Sequence, residues 1–340
     1  MRAMILAAGL GERLRPHTTK VAKPALPFLN LPLICYPWFH LQAVGAHQLV
    51  VNTHHCGESV KAAVEAFGLP LVKFIHETPV ILGSGGGIKN AEVHLKGEGS
   101  FVVANGDEIL IAPDGLEELW RHHQSRGNLA TLAVCRHPEV GTKFGGVWCD
   151  SSGRVIEFGK VASSSKLMGY HYTGFMALSD RVFAFLPQDQ ASNILYDGLA
   201  SGIRVGEKVE AFEVEGAWYE TGSESDFLSA SLACLNHLLS DDPLGASLKE
   251  LHHHYGRVLL PHGSDVLVGT NCHIDPSAQI CGPTLLGHGV QLAQGVDLKG
   301  FNIIGDGTVI DDGCSLESSV IGSHLQIPKG SSLHAQLRLI

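Results

Sequence analysis

The sequence is short of basic residues. Its 340 residues include 24 lysines and arginines against 34 aspartates and glutamates, which gives a formal net charge of −10. That deficit argues against broad nucleic-acid binding, which needs a basic surface. The chain also lacks an apolar run of about 18 residues, so no membrane-spanning helix is predicted. Because 44% of the residues are hydrophobic and only 17% are charged, we expect a folded chain with a large core that binds neither nucleic acid nor membrane.

Metal-binding and secretory patterns are missing as well. The eight cysteines form no Cys-x-x-Cys pair, and the 20 histidines form neither His-Glu-x-x-His nor a Cys/His zinc spacing. The apolar segment at the N-terminus is interrupted by Gly9 and Gly11 and is too short for a secretory signal. We therefore expect a cytoplasmic protein with reduced thiols. The run His252-His253-His254 is interpreted as a linker or helix surface, with metal binding as the alternative.

A six-residue repeat dominates the C-terminal part. Aliphatic residues recur at every sixth position, and four residues after each comes a residue that is nearly always small or β-branched. The aliphatic positions are Val268, Ile274, Ile280, Leu286, Leu292, Leu298, Ile304, Ile310 and Leu316. Positions i and i+4 face the same side of a short strand. Unbroken repeats of this kind predict a stacked β-solenoid, with chance alternation in an ordinary β-sandwich as the alternative. The segment resembles the hexapeptide-repeat family of left-handed β-helices.

The N-terminal part alternates between two patterns. Apolar strand segments at 4–8, 47–52, 71–76 and 101–104 alternate with helical segments at 32–43, 58–67 and 87–95. Such alternation predicts an α/β domain with a Rossmann-like, mostly parallel sheet flanked by helices. We place this domain at residues 1–240, a linker at 241–262 and the β-helix domain at 263–340.

Two loops that follow predicted strands carry residues suited to phosphate and metal. In the first, Gly9 and Gly11 let backbone amides approach an anion, and Arg13 and Arg15 add guanidinium groups. The second is Asn105-Gly106-Asp107-Glu108, where a carboxylate that follows a glycine at a strand end suits a hard divalent cation. Each loop also has a plain reading, as a tight turn without chemical role.

Two further segments are candidates by composition. The glycine-rich segment 82–87 fits a flat ring packed against backbone, or a flexible loop. Segment 218–223 offers the carboxylate of Glu220 far along the chain.

Taken in order, these motifs resemble the sugar-1-phosphate nucleotidyltransferases, also called NDP-sugar pyrophosphorylases. The matching segments are LAAGxGxRLxP at 6–16, Lys23, LGSGGG at 82–87, NGD at 105–107, YTG at 172–174 and WxExG at 218–222. A C-terminal left-handed β-helix is common in that family, including its mannose-1-phosphate guanylyltransferase-like members. The resemblance therefore covers nearly the whole chain.

The resemblance assigns roles residue by residue. It implies catalytic roles for Arg13, Lys23 and Asp107, and Mg²⁺ binding by Asp107 and Glu220. The residues implied to bind nucleotide are Leu6, Ala7, Ala8, Gly9, Gly11, Ser84, Gly85 and Asn105. Those implied to bind sugar are Gly146, Lys160, Thr173 and Gly174. The sequence departs from the family pattern at Glu220, where the family has aspartate, at Gly159 in place of glutamate, and at Ala22 in place of proline.

The implied function is synthesis of an NDP-sugar and pyrophosphate from an NTP and a sugar 1-phosphate, with GTP and mannose 1-phosphate or a related sugar preferred. The alternatives are a uridylyltransferase acting on N-acetylmuramate 1-phosphate or glucose 1-phosphate, and a regulatory homologue that binds a sugar nucleotide without turnover. Acyl transfer by the β-helix is a further alternative, carried by His273, His288 and His324. We expect the β-helix to be architectural and the protein to be a homo-oligomer.

Overall fold

The protein is described by a computed structural model that covers residues 1–69 and 72–340. The strands in chain order are β1 (Arg2–Leu6), β2 (Pro27–Phe28), β3 (Leu31–Pro32), β4 (Gln48–Thr53), β5 (Val72–His76), β6 (Ser100–Asn105), β7 (Ile109–Ile111), β8 (Ala130–Cys135), β9 (Gly146–Cys149), β10 (Val155–Gly159), β11 (Met168–Ser179), β12 (Val209–Glu213), β13 (Ala217–Tyr219), β14 (Leu260–Pro261), β15 (Val266–Val268), β16 (His273–Ile274), β17 (Gln279–Cys281), β18 (Thr284–Leu286), β19 (Gln291–Leu292), β20 (Asp297–Ile304), β21 (Val309–Ile310), β22 (Ser315–Ile321), β23 (Gln326–Ile327), β24 (Ser332–His334) and β25 (Leu337–Arg338). The α-helices are α1 (Cys35–Ala43), α2 (Gly57–Ala66), α3 (Gly83–Asn90), α4 (Glu92–Leu95), α5 (Glu117–Arg126), α6 (Ala200–Arg204), α7 (Glu224–Leu239) and α8 (Pro243–His254).

The chain forms two compact units that interleave in sequence. The first unit contains Met1–Leu10, Ala22–Pro24 and Ile34–Trp218, and the second contains Gly11–Val21, Ala25–Leu33 and Tyr219–Ile340. The domain bounds 1–240, 241–262 and 263–340 stay a prediction. Within the stretch expected to be a linker, α8 forms a helix whose N-cap Asp242 accepts a hydrogen bond from the Gly245 amide at 2.7 Å.

A mixed sheet forms the centre of the first unit. Strands β5, β4, β1 and β6 run parallel, as the α/β pattern predicts. The long strand β11 then lies antiparallel to β6, β8 and β9, and β12 runs parallel to β8. The interior is aliphatic and aromatic, with Met4, Phe101 and Leu132 fully buried. The predicted α/β class is confirmed, and the antiparallel strands are a feature that alternation alone does not reveal.

Predicted and observed element bounds differ by a few residues. Helix α1 begins at Cys35 instead of at Pro32, because Pro32 pairs with Pro27 in the β2–β3 hairpin. The segment predicted as a helix at 87–95 is two helices, α3 and α4, and α3 begins earlier, at Gly83. Strand β5 is observed from Val72, and Leu71, the first residue of that predicted strand, lies outside the described residues.

The C-terminal part of the second unit is a parallel β-helix. Thr284 pairs with Asn302 and Leu286 with Ile304, so paired residues lie one coil of three hexads apart. The aliphatic hexad residues Leu286, Leu292 and Leu298 are fully buried in a common core. The predicted β-helix is confirmed, and its left-handed sense is what the resemblance implies.

A short hairpin also belongs to the second unit. The turn between β2 and β3 places Leu29 and Asn30 at positive φ, 46° and 63°. Asn30 Nδ2 donates to the Ile304 carbonyl at 3.1 Å, and His252 Nε2 lies 3.0 Å from the Leu29 carbonyl. This turn is therefore fixed by hydrogen bonds to both α8 and the β-helix.

Candidate active site

The first candidate loop begins where β1 ends, at Leu6. Ala7 N donates to Asn52 Oδ1 at 2.9 Å, and Asn52 lies near the end of the neighbouring strand β4. Asn52 Nδ2 in turn donates to Glu77 Oε1 at 2.7 Å, and Glu77 Oε2 accepts from Leu82 N at 2.7 Å. Asn52 and Glu77 are almost fully buried. This chain of hydrogen bonds fixes Ala7 and Leu82 relative to each other.

Ala8 and Gly9 continue the loop. Ala8 is buried, whereas Gly9 is exposed, and a Cβ added at Gly9 would have no atom within 4 Å. No described residue therefore requires glycine there for packing. That openness favours the predicted close approach of a ligand to the backbone.

The glycine-rich segment 82–87 is neither a flexible loop nor an open surface. Gly83 begins α3, and the amide of Gly85 donates to the Ser192 carbonyl at 2.8 Å. Ser84 Oγ accepts from Ile194 N at 3.0 Å, and a Cβ on Gly85 would lie 2.6 Å from Ser192 Oγ. These glycines allow α3 to pack closely against the 192–194 segment. Nucleotide binding by Ser84 and Gly85 stays a prediction.

Lys23 and Asp107 form a short ion pair just beyond the carboxyl end of β6. Asp107 follows β6, where the amide of Gly106 donates to the Leu6 carbonyl at 2.8 Å. Lys23 Nζ donates to Asp107 Oδ2 at 2.7 Å. The lysine side chain is 10% exposed and the aspartate 35%. The structure therefore brings together two residues that are 84 positions apart in sequence and that both have predicted catalytic roles.

Glu108 is a site residue to which sequence reasoning gave no role. Its Oε1 accepts from Asn105 Nδ2 at 3.1 Å, and its Oε2 accepts from Trp218 Nε1 at 2.7 Å. Gly174 has φ of 90°, and a Cβ there would overlap Glu108. Burial, together with the charge of Asp107, raises the pKa of Glu108 to about 8. The sequence feature that could have revealed it is the pair of consecutive acidic residues shortly after a buried strand.

In the second unit, Arg13 lies close to Glu220. Arg13 belongs to a 3-10 helix over Glu12–Leu14, which follows Gly11 in the left-handed conformation at φ 63°. Its Nη2 atom lies 3.5 Å from Glu220 Oε1. The Arg13 side chain is 68% exposed, so this ion pair is weak and its partner is easily exchanged. A side chain at Gly222 would collide with both groups.

The predicted sugar-binding residues lie on β9, β10 and β11 or just beyond them. Gly146 begins β9 and pairs with Gly159 of β10. Thr173 Oγ1 donates to the Ala133 carbonyl at 3.0 Å, so this hydroxyl is engaged by the neighbouring strand. Lys160 Nζ donates to the carbonyl oxygens of Thr142 and Lys143. The sugar contacts of these residues stay a prediction.

Residues 1–69 and 72–340, which the structure describes, contain neither a cluster of metal ligands nor a membrane-spanning helix. Within those ranges, no cluster of three or more His, Cys, Asp or Glu side chains is arranged to hold a metal ion. In the same part of the chain, no helix has the length and apolarity needed to cross a membrane.

Comparison with known proteins identifies a family profile and individual relatives that match this chain. The Nucleotidyl transferase family profile matches residues 2–237. The mannose-1-phosphate guanyltransferase of Kluyveromyces lactis is 30% identical over 76% of this chain and 71% of its own length. The UTP–glucose-1-phosphate uridylyltransferase of Synechocystis sp. is 26% identical over 98% of this chain and 86% of its own.

A solved structure shares the fold. The inositol-1-phosphate CTP transferase from T. maritima superposes with a TM-score of 0.57 at 18% identity, covering 74% of this chain and 96% of that one. The family profile spans more than half of the chain, and the residues that it covers include the Lys23–Asp107 pair at the carboxyl ends of the parallel strands. The chain therefore belongs to the nucleotidyl transferase family and is a nucleotidyltransferase.

Proposed function

We propose that this enzyme joins an NTP to a sugar 1-phosphate, forming an NDP-sugar and pyrophosphate. A phosphate oxygen of the sugar 1-phosphate attacks the α-phosphorus, the bond from that phosphorus to the bridging oxygen breaks, and pyrophosphate leaves. The observation that carries the proposal is the Lys23–Asp107 contact of 2.7 Å. It places a cation and a carboxylate together at the strand ends where ligands of α/β sheets bind.

Phosphoryl and nucleotidyl transfer depend on positioning and charge neutralisation more than on covalent catalysis. In this proposal Gly9, Gly11 and Arg13 bind the triphosphate, and Arg13 stabilises the leaving pyrophosphate. Lys23 stabilises the negative charge that develops at the α-phosphate. The high exposure of Arg13 supports its role, since its guanidinium is accessible to a ligand.

Mg²⁺ is the proposed metal, with Asp107 and Glu220 as its ligands. The donor chemistry fits, because carboxylate oxygens are hard ligands and Mg²⁺ commonly binds one or two carboxylates together with substrate phosphates. A protein cluster of three ligands is therefore not required. When bound, the ion would neutralise phosphate charge. Asp107 and Glu220 would then coordinate the ion, and would no longer pair with Lys23 and Arg13.

GTP and mannose 1-phosphate are the proposed substrates. Several relatives support this choice, among them the mannose-1-phosphate guanylyltransferase of Mycobacterium tuberculosis, 27% identical over 93% of this chain. Other relatives are named for UTP with glucose 1-phosphate, and for thymidylyl transfer to glucose 1-phosphate in Streptomyces griseus. Uridylyl transfer is therefore the alternative activity that the experiment below must distinguish from guanylyl transfer.

The test is a matrix of four NTPs against a panel of sugar 1-phosphates. Pyrophosphate is detected as phosphate after adding pyrophosphatase, and the NDP-sugar is identified by mass. We expect release that requires both substrates and Mg²⁺, fastest with GTP and mannose 1-phosphate. A faster rate with UTP than with GTP would show that the preferred base is uracil and not guanine. Binding of a sugar nucleotide without pyrophosphate release in any combination would favour the regulatory homologue and overturn the proposal.

We also propose that the β-helix is architectural, within a cytoplasmic homo-oligomer. The contacts of His288, a candidate base for acyl transfer, support the architectural role. Its Nδ1 accepts a hydrogen bond from Thr270 N at 2.8 Å and lies 2.9 Å from Thr270 Oγ1, so this nitrogen is engaged within the β-helix. Light scattering coupled to gel filtration tests the oligomer: a mass near 36.3 kDa would contradict it.

A further inference from the structure

Four aromatic rings of the first unit form a compact group, here called the ring cluster: His137, Phe144, His171 and Trp218. His171 lies at its centre. Its ring centroid is 3.9 Å from that of Trp218, 4.8 Å from that of Phe144 and 5.8 Å from that of His137. The cluster adjoins three segments with predicted site residues, since Phe144, His171 and Trp218 each lie two positions before one of them.

His171 has hydrogen-bonding capacity that the protein does not use. It is 9% exposed, and neither of its buried ring nitrogens has a hydrogen-bond partner among the described residues. Burial lowers the pKa of His171 to about 4, so the ring is neutral at neutral pH. A neutral imidazole has one N–H donor and one acceptor nitrogen. Leaving both unpaired in the interior is costly.

His123 shows what the same fold does with a structural histidine. It is 2% exposed, and burial lowers its pKa to about 4 as well. Its Nδ1 nevertheless lies 3.1 Å from Thr131 Oγ1, and its Nε2 lies 3.3 Å from Ser100 Oγ. Both imidazoles are buried, yet of the two only His171 has ring nitrogens without hydrogen-bond partners among the described residues.

The ring beside His171 is itself fixed in place. Trp218 Nε1 donates to Glu108 Oε2 at 2.7 Å, and the other oxygen of Glu108 is held by Asn105. Glu108 therefore acts as a positioning residue for Trp218. A fixed indole face next to an unsatisfied imidazole suits a sugar, which presents C–H groups on its faces and hydroxyls at its edges.

A loop covers His171 in this structure. His137 and Phe144 belong to the connection 136–145 between β8 and β9, here called the cover loop. Lys160 Nζ holds this loop through the carbonyl oxygens of Thr142 and Lys143, the latter at 3.1 Å. Lys160 is exposed and is also the residue predicted to contact the sugar phosphate. A phosphate that draws the ammonium group away would release the cover loop.

We infer that His171 is a specificity-determining residue that hydrogen-bonds a hydroxyl of the sugar 1-phosphate once the cover loop has opened. The inference rests on the proposed function and deepens it. A hydroxyl is the group that fits best, because it can donate to the acceptor nitrogen or accept from the ring N–H. Trp218 provides the apolar wall against which the sugar ring packs.

The experiment compares His171→Phe, which keeps ring volume and stacking, with His171→Asn, which keeps a donor and an acceptor. We expect His171→Phe to raise the KM for the sugar 1-phosphate about tenfold, the effect of losing one hydrogen bond, while the KM for NTP stays within about twofold. His171→Asn should recover part of that loss. The matched control His123→Phe should lower the melting temperature without changing either KM.

Monodeoxy sugar 1-phosphates identify the hydroxyl. Wild-type enzyme should bind one deoxy analogue about tenfold more weakly than the parent sugar in calorimetry, and His171→Phe should bind the two alike. Equal affinity of wild-type and folded His171→Phe for every sugar would overturn the inference and leave the proposed function intact. Absence of turnover with all sugars in the wild type would overturn both.

A measurement on the wild-type protein covers the case in which both variants misfold. Nitrogen-15 NMR of labelled histidines should show one buried neutral histidine whose ring signals shift when sugar 1-phosphate is added, but not when NTP alone is added. Unchanged signals from all buried histidines at saturating sugar would overturn the inference.

Discussion

Lys23 Nζ lies 2.7 Å from Asp107 Oδ2, with the lysine almost entirely buried. Each residue therefore shields the charge of the other in the absence of substrate. Removing one partner leaves a poorly solvated charge on the other, which is costly to the fold. Any assay of these positions must accordingly measure stability beside activity.

For Asp107→Asn we expect kcat to fall by about 10² or more. The metal loses a charged ligand in this variant, and the charge at the α-phosphate is then neutralised less well. The Mg²⁺ concentration for half-maximal rate should rise. The measurement is initial rate across a Mg²⁺ titration, together with a melting curve. A folded variant with the wild-type rate at every Mg²⁺ concentration would refute the metal assignment.

Glu220 allows a test with two substitutions of opposite expectation. Glu220→Asp keeps the charge and restores the residue that the resemblance leads one to expect, so it should remain active. Glu220→Gln removes the charge and should reduce kcat by about 10². Both lose or weaken the contact to exposed Arg13, whose effect on stability is small. Equal rates for the two variants would show that the charge of Glu220 is not used.

Gly9→Ala and Gly106→Ala form a matched pair. A Cβ at Gly9 meets open space, whereas at Gly106 it would lie 3.0 Å from both Ile5 Cγ2 and the Leu6 carbonyl oxygen. We expect Gly9→Ala to leave the melting temperature unchanged and to raise the KM for NTP several-fold. Gly106→Ala should instead destabilise the fold by about 1–3 kcal/mol. An unchanged KM for NTP in Gly9→Ala would contradict the proposal that this loop binds the nucleotide.

Glu210 predicts a pH dependence of stability. Burial of this carboxylate opposes its charged form, but hydrogen bonds from Lys208, Asn128 and His122 outweigh burial and lower its pKa to about 2. Because the folded pKa lies below the unfolded value of about 4.3, the ionised group stabilises the fold above that value. The contribution, about 3 kcal/mol at pH 7, is lost as the pH falls towards 2.

The corresponding measurement is urea unfolding of wild type and Glu210→Gln between pH 7 and pH 3. We expect the variant to be less stable at pH 7 and the difference to shrink below about pH 4. A difference independent of pH would mean that the charge of Glu210 is not responsible. The Glu117 carboxylate, which is exposed and pairs only with Arg121 among the contacts described here, serves as the control position.

Much of this architecture could be predicted from the sequence, because it depends on periodic patterns of apolar residues along the chain. The hexads specify the β-helix, since each aliphatic side chain must reach one narrow core. The alternation of apolar strands and helices specifies β1, β4 and β6. The signature positions Lys23 and Asp107 were also predicted, although not that they contact each other.

The rest depends on contacts between distant segments. Asn52 and Glu77 look like ordinary polar residues at strand ends, yet together they fix the first loop. The segment 82–87 reads as a loop because glycine disfavours helices, but close packing against Ser192 overrides that preference. The unsatisfied ring of His171 can be recognised only once its surroundings are known.

The hydrogen bond from Asn30 to the Ile304 carbonyl constrains how this chain can vary in length. Adding a coil to a β-helix shifts everything beyond it by about 4.8 Å, the spacing of neighbouring strands. An extra coil before Ile304 would carry the carbonyl out of reach of Asn30, and would do the same for Asp306 and its partner Arg257. Coils added after Asp306 would disturb neither anchor. Growth and shortening of this domain are therefore confined to its C-terminal end.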